Sequence, residues 1–203
     1  MKNQKLIIIG IVLAVLAGIA AYFMTRDSEV AEVPAERIRK EIYNFDPAVC
    51  PGQSVKLKMT DPYMRGLLEE GADVETSMNY YKCNPLARND VVLYRFSEFD
   101  EPVFRRVVGI AGDKFEPVYN EDKGAWELKI NGKLVVGVKG EKYLFGGEDP
   151  PPLELAANQM KNKLGAGLAI VLSSFPPGDR DSGTFGAISV GDIVGKAMIG
   201  TAK

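Results

Sequence analysis

The sequence predicts a mostly β, antiparallel domain behind a single N-terminal transmembrane helix. Three observations support this prediction: short stretches that alternate polar and apolar residues, turn residues between these stretches, and one long apolar run near the N-terminus. Alternation with a period of two is typical of half-buried strands, and regularly spaced short strands with turn residues between them are typical of all-β folds. We therefore divide the chain into an anchor (1–25), a polar linker (26–49) and a β domain (50–203).

The apolar run covers residues 6–24 and follows Lys2 and Lys5. A helix needs about 20 apolar residues to cross the hydrocarbon core, so this run is long enough to span a membrane. The alternative is a cleaved signal peptide, whose apolar part is usually shorter, about 7–15 residues. We favour the uncleaved anchor. The two lysines predict a single-pass protein of the cytoplasmic membrane, with the N-terminus inside and the globular domain outside, periplasmic or extracellular.

The two cysteines, Cys50 and Cys83, lie outside the membrane in this topology. In an oxidising compartment two such cysteines are more often paired than free. A disulfide would close a loop of about thirty residues and stabilise the domain by about 3 kcal/mol if chain entropy dominates. Two small buried apolar side chains are the alternative. A catalytic cysteine is the least expected role, because the chain has no histidine to activate it.

Composition excludes several classes of function. The 203 residues carry a formal net charge of −2 and include no histidine. A weakly acidic chain does not have the excess of basic residues that is typical of nucleic-acid-binding proteins. Without histidine, the chain can form neither a Ser-His-Asp nor a Cys-His catalytic site, nor a histidine-ligated metal site. We therefore expect no nucleic-acid partner, no cofactor and no metal.

The strands of the β domain follow from alternation and from β-branched runs. The Asn131-Gly132 pair lies between two of them and is a strong hairpin signal. Three prolines at 150–152 predict a loop, and the composition of residues 153–164 predicts a short helix. The predicted strands, in chain order, are residues 54–59, 74–81, 90–96, 103–110, 115–119, 126–130, 133–136, 168–172 and 192–197.

The strand at 103–110 carries two adjacent arginines, Arg105 and Arg106, and leads into a Gly-x-x-Gly-Asp turn at 109–113. Because side chains alternate between the two faces of a strand, one of the two arginines faces the more buried side. A guanidinium is seldom buried without a partner or a function. The sequence therefore predicts a functional site at this strand.

These residues resemble a motif of the type I signal peptidase (S26 serine peptidase) family. That motif reads lysine-arginine-valine-valine-glycine-x-proline-glycine-aspartate, and its lysine is the general base of a Ser/Lys dyad. Residues 89–93, 126–133, 170–186 and 193–197 resemble further family segments in the same order, so that the resemblance covers most of residues 55–197. It implies a signal-peptidase-like antiparallel β domain that meets secreted preproteins at the outer face of the cytoplasmic membrane.

The sequence departs from the family where the chemistry takes place. The lysine position holds Arg105, and the best match to the nucleophile motif, residues 63–74, puts Tyr63 in the serine position and Gly66 in the proline position. A guanidinium stays protonated and cannot accept the nucleophile's proton, whereas a lysine whose pKa is lowered by burial can. A tyrosine side chain is bulky for a position from which the family's small serine must reach the carbonyl carbon of the peptide bond that is cleaved. Neither member of the dyad is therefore intact.

Two supporting residues of the family are retained as Asp181 and Ser182. The family's serine helps to orient the lysine. Here we expect Ser182 to be a hydrogen-bonding group near Arg105, with Asp181 as the counter-ion of that arginine. Ser77 is the fallback nucleophile, because it keeps the family's serine-methionine dipeptide, with Lys82 or a neighbour as its base; the proline expected after this dipeptide is missing.

Three functions are compatible with these residues. We favour a membrane-anchored signal-peptidase-like protein that has lost the dyad and binds a peptide or protein. The bound partner would be a secreted preprotein or an envelope protein. An extended segment of it could bind by adding a strand to a sheet edge. The alternative is an atypical active signal peptidase that cleaves after small residues, which needs a serine and a lysine within hydrogen-bond reach. The third is a structural envelope protein whose groove is filled by Tyr63 and other side chains.

Overall fold

The computed structural model describes residues 53–96 and 101–199. The chain divides into two compact units, residues 1–44 and 45–203, and every described residue lies in the second. The anchor and the linker expected from the sequence, and Cys50, lie outside the described residues, so the transmembrane helix and the disulfide stay predictions. No helix in the described part of the chain is both long and apolar enough to cross a membrane.

The described residues fold into strands, two α-helices and three 3-10 turns. The helices are α1 (Pro152–Gln159) and α2 (Ser182–Phe185), and the 3-10 turns are Pro62–Met64, Tyr80–Lys82 and Val190–Asp192. The strands are β1 (Ser54–Lys58), β2 (Asp73–Met78), β3 (Val91–Tyr94), β4 (Val103–Ile110), β5 (Phe115–Asn120), β6 (Ala125–Ile130), β7 (Lys133–Leu134), β8 (Leu144–Phe145), β9 (Leu168–Leu172), β10 (Ile188–Ser189) and β11 (Ile193–Ala197).

The strands form two sheets. The first has seven strands in the order β1-β2-β11-β3-β4-β9-β10, and the second has four, in which β6 pairs with β5, β7 and β8. All of these pairs are antiparallel. The prediction of a mostly β, antiparallel domain is therefore confirmed.

Local backbone conformations explain where the predicted elements end. The second strand stops at Met78, earlier than predicted, because Asn79 adopts a φ of 55° and starts a 3-10 turn. The helix stops at Gln159 because Lys161 and Asn162 have φ values of 52° and 60°, which no α-helix continues through. The elements β8, β10 and α2 were not predicted, because two to four residues are too few to show a periodic pattern.

The predicted hairpin is present. Asn131 and Gly132 have φ values of 51° and 78° and join β6 to β7. Positive φ at both central positions is what a two-residue turn between antiparallel strands requires, and asparagine and glycine adopt it at low cost. This turn fixes the register between β6 and β7.

Apolar side chains cover both faces of the seven-stranded sheet. Strand β4 lies between β3 and β9 and is buried along most of its length. Alternation puts Arg105 on the face of Val103 and Val107, and Arg106 on the face of Val108. The core on the first of these faces contains Val92, Tyr94, Phe96, Val103, Val107, Ala169, Val171, Ile188 and Ile193. The core on the second face, shared with α1 and the four-stranded sheet, contains Val108, Phe115, Leu128, Ile130, Val135, Tyr143, Phe145, Leu153, Ala157, Leu164, Ile170 and Leu172.

Candidate functional site

Arg105 is completely buried in β4, with an exposed fraction of 0%. A buried guanidinium requires a counter-ion and acceptors for its N–H groups. Its Nη1 forms an ion pair with Asp61 Oδ2 at 3.0 Å. Its Nε donates to the backbone carbonyls of Asp179 and Arg180 at 3.0 and 3.1 Å, and its Nη2 donates to Asp179 O at 2.5 Å. All three nitrogens therefore have acceptors inside the protein.

Tyr63 lies beside Arg105, with the centre of its ring 5.9 Å from Arg105 Cζ. It belongs to the 3-10 turn that Asp61 caps, and its backbone N–H donates to Asp61 Oδ1 at 3.0 Å. The backbone N–H and the hydroxyl of Ser174 both donate to Tyr63 O, at 2.8 and 3.1 Å. The two positions that our alignment assigns to the nucleophile and the base are thus neighbours in the fold, held by one shared carboxylate.

Asp181 has a different role from the one expected. Its Oδ2 accepts hydrogen bonds from Tyr143 Oη at 2.6 Å and from the backbone N–H and hydroxyl of Ser173, both at 3.0 Å. Burial, together with the Asp181 carboxylate, raises the pKa of Tyr143 well above its ordinary value. The expectation that Asp181 is the counter-ion of Arg105 is wrong, because Asp61 occupies that position.

Ser182 is a buried hydrogen-bonding group, but its partner is not Arg105. Its Oγ accepts a hydrogen bond from the backbone N–H of Val171 at 3.0 Å. It begins α2, whose N-terminus is capped by Asp181 through a 2.8 Å bond from Gly183 N–H to Oδ1. Ser182 therefore fastens α2 to β9, while the acceptors of Arg105 come from other residues.

Ser77, the fallback nucleophile, lies on β2, and Arg105 lies on β4. Strands β11 and β3 separate these two strands, so that the three steps between neighbouring strands amount to about 14 Å. The residue opposite Ser77 on β11 is Lys196, whose Nζ forms an ion pair with Asp90 at 2.7 Å. Lys82 is exposed in the 3-10 turn that follows β2. The structure thus places Ser77 near a lysine, but outside the Arg105 cluster.

The sequence did not reveal the residues that hold Arg105. Asp61 is 44 positions away from it, and Asp179 contributes only a backbone carbonyl, which no side-chain pattern can indicate. One signal was available: an aspartate before Pro62 is a typical cap for a short helix, and a buried arginine requires a carboxylate. Combining the two would have favoured Asp61 over Asp181.

The chemistry of the cluster is limited by its charges. Arg105 is a permanent donor without an acceptor atom, so it cannot remove a proton from a nucleophile. Each of its three nitrogens donates to Asp61 or to a backbone carbonyl, and the side chain is completely buried, so it is not exposed to a substrate. No group of three or more acidic or cysteine side chains that could hold a metal ion occurs within 53–96 and 101–199. The cluster therefore acts as a structural ion pair that fixes the segment around Tyr63.

The family model and the curated relatives that match this chain agree with the motifs. The family model described as "Signal peptidase, peptidase S26" matches residues 41–201. Signal peptidase IB of Staphylococcus aureus, in strains Mu50 and N315 among others, is 30% identical over 151 residues, which cover 70% of this chain and 73% of that protein. The crystal structure of a signal peptidase I from Enterococcus faecalis V583 is 20% identical with a TM-score of 0.39, and the match covers 56% of this chain and 97% of that chain.

Proposed function

The chain belongs to the peptidase S26 family of signal peptidases, and we propose that it is a membrane-anchored member that binds extended segments of secreted preproteins or envelope proteins without cleaving them. The observation that carries this proposal is the buried ion pair between Arg105 and Asp61. It occupies the position where the family motif has a lysine that acts as a base.

The base position is unsuited to proton transfer. A Ser/Lys dyad needs a lysine that is neutral at the working pH, which burial makes possible by lowering its pKa. A guanidinium cannot serve in this way, because it stays protonated under these conditions. The charge of Arg105 is also needed by the fold, since removing one partner of a buried ion pair costs about 3–5 kcal/mol. The arginine is therefore a fixed structural cation.

The nucleophile position is equally unsuited. Tyr63 is half-buried, and its ring lies against the guanidinium of Arg105. A phenol needs a neighbouring base to become a nucleophile, and the guanidinium beside the Tyr63 ring has no lone pair to offer. The hydrogen bonds from Ser174 to Tyr63 O also hold the backbone of this segment in place. These contacts support a packing role for Tyr63 better than a role as the nucleophile.

The edge of the seven-stranded sheet supports peptide binding. Strand β1 is the first strand of this sheet and, among the described residues, pairs only with β2. Its side chains alternate in exposure, with Ser54, Lys56 and Lys58 exposed. The outward N–H and C=O groups of an edge strand are a template for an added strand, and an extended preprotein segment would bind in this way.

The alternative, an atypical active peptidase, is favoured by one observation. Ser77 and Lys196 are directly opposite each other on β2 and β11, so their side chains share one face of the sheet. The ion pair between Lys196 and Asp90 opposes this alternative, because it engages the amine that would have to act as the base. Activity that depends on both Ser77 and Lys196 would establish it.

The test combines binding and cleavage. The full chain, purified in detergent, is mixed with a preprotein bearing an Ala-x-Ala site, and both association and product formation are measured. We expect association without cleavage. Two variants are compared: Tyr63→Ser with Arg105→Lys, and the same pair with Asp61→Asn added. In the first variant the Asp61 carboxylate favours the charged form of the introduced lysine. The second variant removes this carboxylate, so its lysine can lose the proton more readily.

The outcomes separate the three functions. Cleavage gained by the variant carrying Asp61→Asn, with none by the wild type, supports a retained binding groove. Absence of association in every protein, with intact folding, contradicts the binding function and leaves a structural envelope protein. Cleavage by the wild type that is lost in Ser77→Ala contradicts the proposal and supports the atypical peptidase.

A further inference from the structure

The second arginine of β4, Arg106, lies on the opposite face of the strand from Arg105 and lines a surface cleft of about 380 Å³. The floor of this cleft is largely apolar, formed by Val108, Ile130 and Leu134 among others, and its wall includes Lys133 of β7. We call it the Arg106 cleft. It shares no residue with the cluster around Arg105, so an inference about it is independent of the proposed function.

Arg106 is a half-buried cation whose hydrogen bonds are incomplete. Its Nη2 donates to Val136 O at 2.6 Å, but its Nε is buried and has no hydrogen-bond partner. Burial lowers the pKa of Arg106, and the effects of Tyr143 and Glu141, which act in the opposite direction, are smaller. A buried N–H without an acceptor is unusual in folded proteins. Arg106 thus lines the cleft as a half-buried cation with one side-chain hydrogen bond, the one to Val136 O.

The charges around the cleft are not balanced. Arg88 also lines it but is neutralised by an ion pair with Asp113. Arg106 and Lys133 form no ion pair with any described residue, and no carboxylate lines the cleft. The cleft therefore presents two positive charges beside an apolar floor, and the Glu141 carboxylate, which does not line the cleft, acts on Arg106 without forming an ion pair with it.

We propose that the Arg106 cleft binds a phosphate monoester carried by an apolar body. A phosphate monoester carries a charge of about −1.5 to −2 near pH 7, which matches two cations better than the single charge of a carboxylate does. The planar fork of an arginine binds phosphate oxygens through two parallel hydrogen bonds. The apolar floor would cover the attached chain. A soluble phosphorylated amphiphile and the headgroup of a lipid such as phosphatidic acid share this chemistry.

Titration calorimetry of the full chain in detergent-free phosphatidylcholine nanodiscs, in which added vesicles stay intact, tests the proposal with three ligands. They are inorganic phosphate, short-chain phosphatidic acid below its micelle concentration, and vesicles of phosphatidylcholine with or without phosphatidic acid. We expect the short-chain lipid to bind at least about tenfold more tightly than inorganic phosphate, because only the lipid also covers the apolar floor. Rising salt should weaken binding.

Matched variants locate the site. Arg106→Gln and Lys133→Gln should each weaken binding of the short-chain lipid several-fold or more, and Lys123→Gln, an equal charge change in an exposed turn outside the cleft, should not. Lys133 is exposed, so its variant keeps the test valid even if Arg106→Gln fails to fold.

The arms with soluble lipid and with vesicles distinguish the two sources of the ligand. Binding of the soluble lipid alone indicates a free phosphorylated amphiphile, and binding to vesicles that Lys133→Gln weakens indicates a membrane lipid. No binding of either lipid, equal affinity for inorganic phosphate and the lipid, or binding unchanged by both cleft variants would overturn the proposal.

Discussion

Arg105 and Asp61 form an ion pair in the interior of the β domain, with Arg105 Nη1 3.0 Å from Asp61 Oδ2 and side-chain exposures of 0% and 7%. The pair connects β4, an interior strand of the larger sheet, to the 3-10 turn that carries Tyr63. A catalytic lysine at the same place would need freedom to lose its proton. Here the cation is instead fixed by the carboxylate beside it.

Removing the carboxylate should destabilise the domain strongly. Asp61→Asn leaves the buried charge of Arg105 uncompensated, and we expect a loss of about 3–5 kcal/mol in the free energy of unfolding. Urea denaturation measures it. The matched control is Asp73→Asn, which breaks the exposed pair with Lys58 and should cost at most about 1 kcal/mol. Equal effects of the two substitutions would mean that the buried pair does not hold the fold.

The loop before α2 should not tolerate a side chain at Gly178. A Cβ atom there would overlap Asp181 Oδ2 and Tyr143 Oη and lie 2.8 Å from Ser173 Oγ. Gly178→Ala should therefore destabilise the domain by about 1–3 kcal/mol through overpacking. Thermal unfolding measures the change. Gly147→Ala is the control, because a Cβ at that exposed position meets nothing within 4 Å. An unchanged melting temperature in Gly178→Ala would contradict the described packing of this loop.

The turn after β4 should make stability depend on pH. Burial acts to raise the pKa of Asp113. Hydrogen bonds from Arg88, Ile110 N–H and Asn131 nevertheless hold this pKa below its ordinary value. A lowered folded-state pKa gives stability that is present above the unfolded-state pKa, near 4, and is lost as the pH falls through the lower value.

Asp113→Asn should consequently cost about 1–3 kcal/mol at pH 7 and much less near pH 2. Guanidinium denaturation of the wild type and the variant across this range measures the difference. Asp122→Asn, in an exposed turn between β5 and β6, is the matched control. A stability difference for Asp113→Asn that stays constant with pH would contradict the described interactions of this carboxylate.

The sequence predicted the fold better than the partners within the site. Strands β4 and β9 have the predicted bounds, and the Asn131-Gly132 hairpin is where the turn signal placed it, because periodicity and turn chemistry act over a few residues. The burial of Arg105 followed from the pair of adjacent arginines on one strand. The identity of its counter-ion did not follow from the sequence. The choice between Asp61 and Asp181 depends on tertiary packing, which places Tyr143 and Ser173 around Asp181.

Cleavage of an Ala-x-Ala preprotein by the wild-type chain, followed from about pH 6 to pH 10, is the most direct test of the central claim. Because an arginine does not lose its proton in this range, we expect no product at any pH. A rate that rises with pH, as a lysine base becomes neutral, and that disappears in Ser77→Ala and in Lys196→Met would contradict the account. It would show that the protein is a peptidase whose dyad lies on β2 and β11.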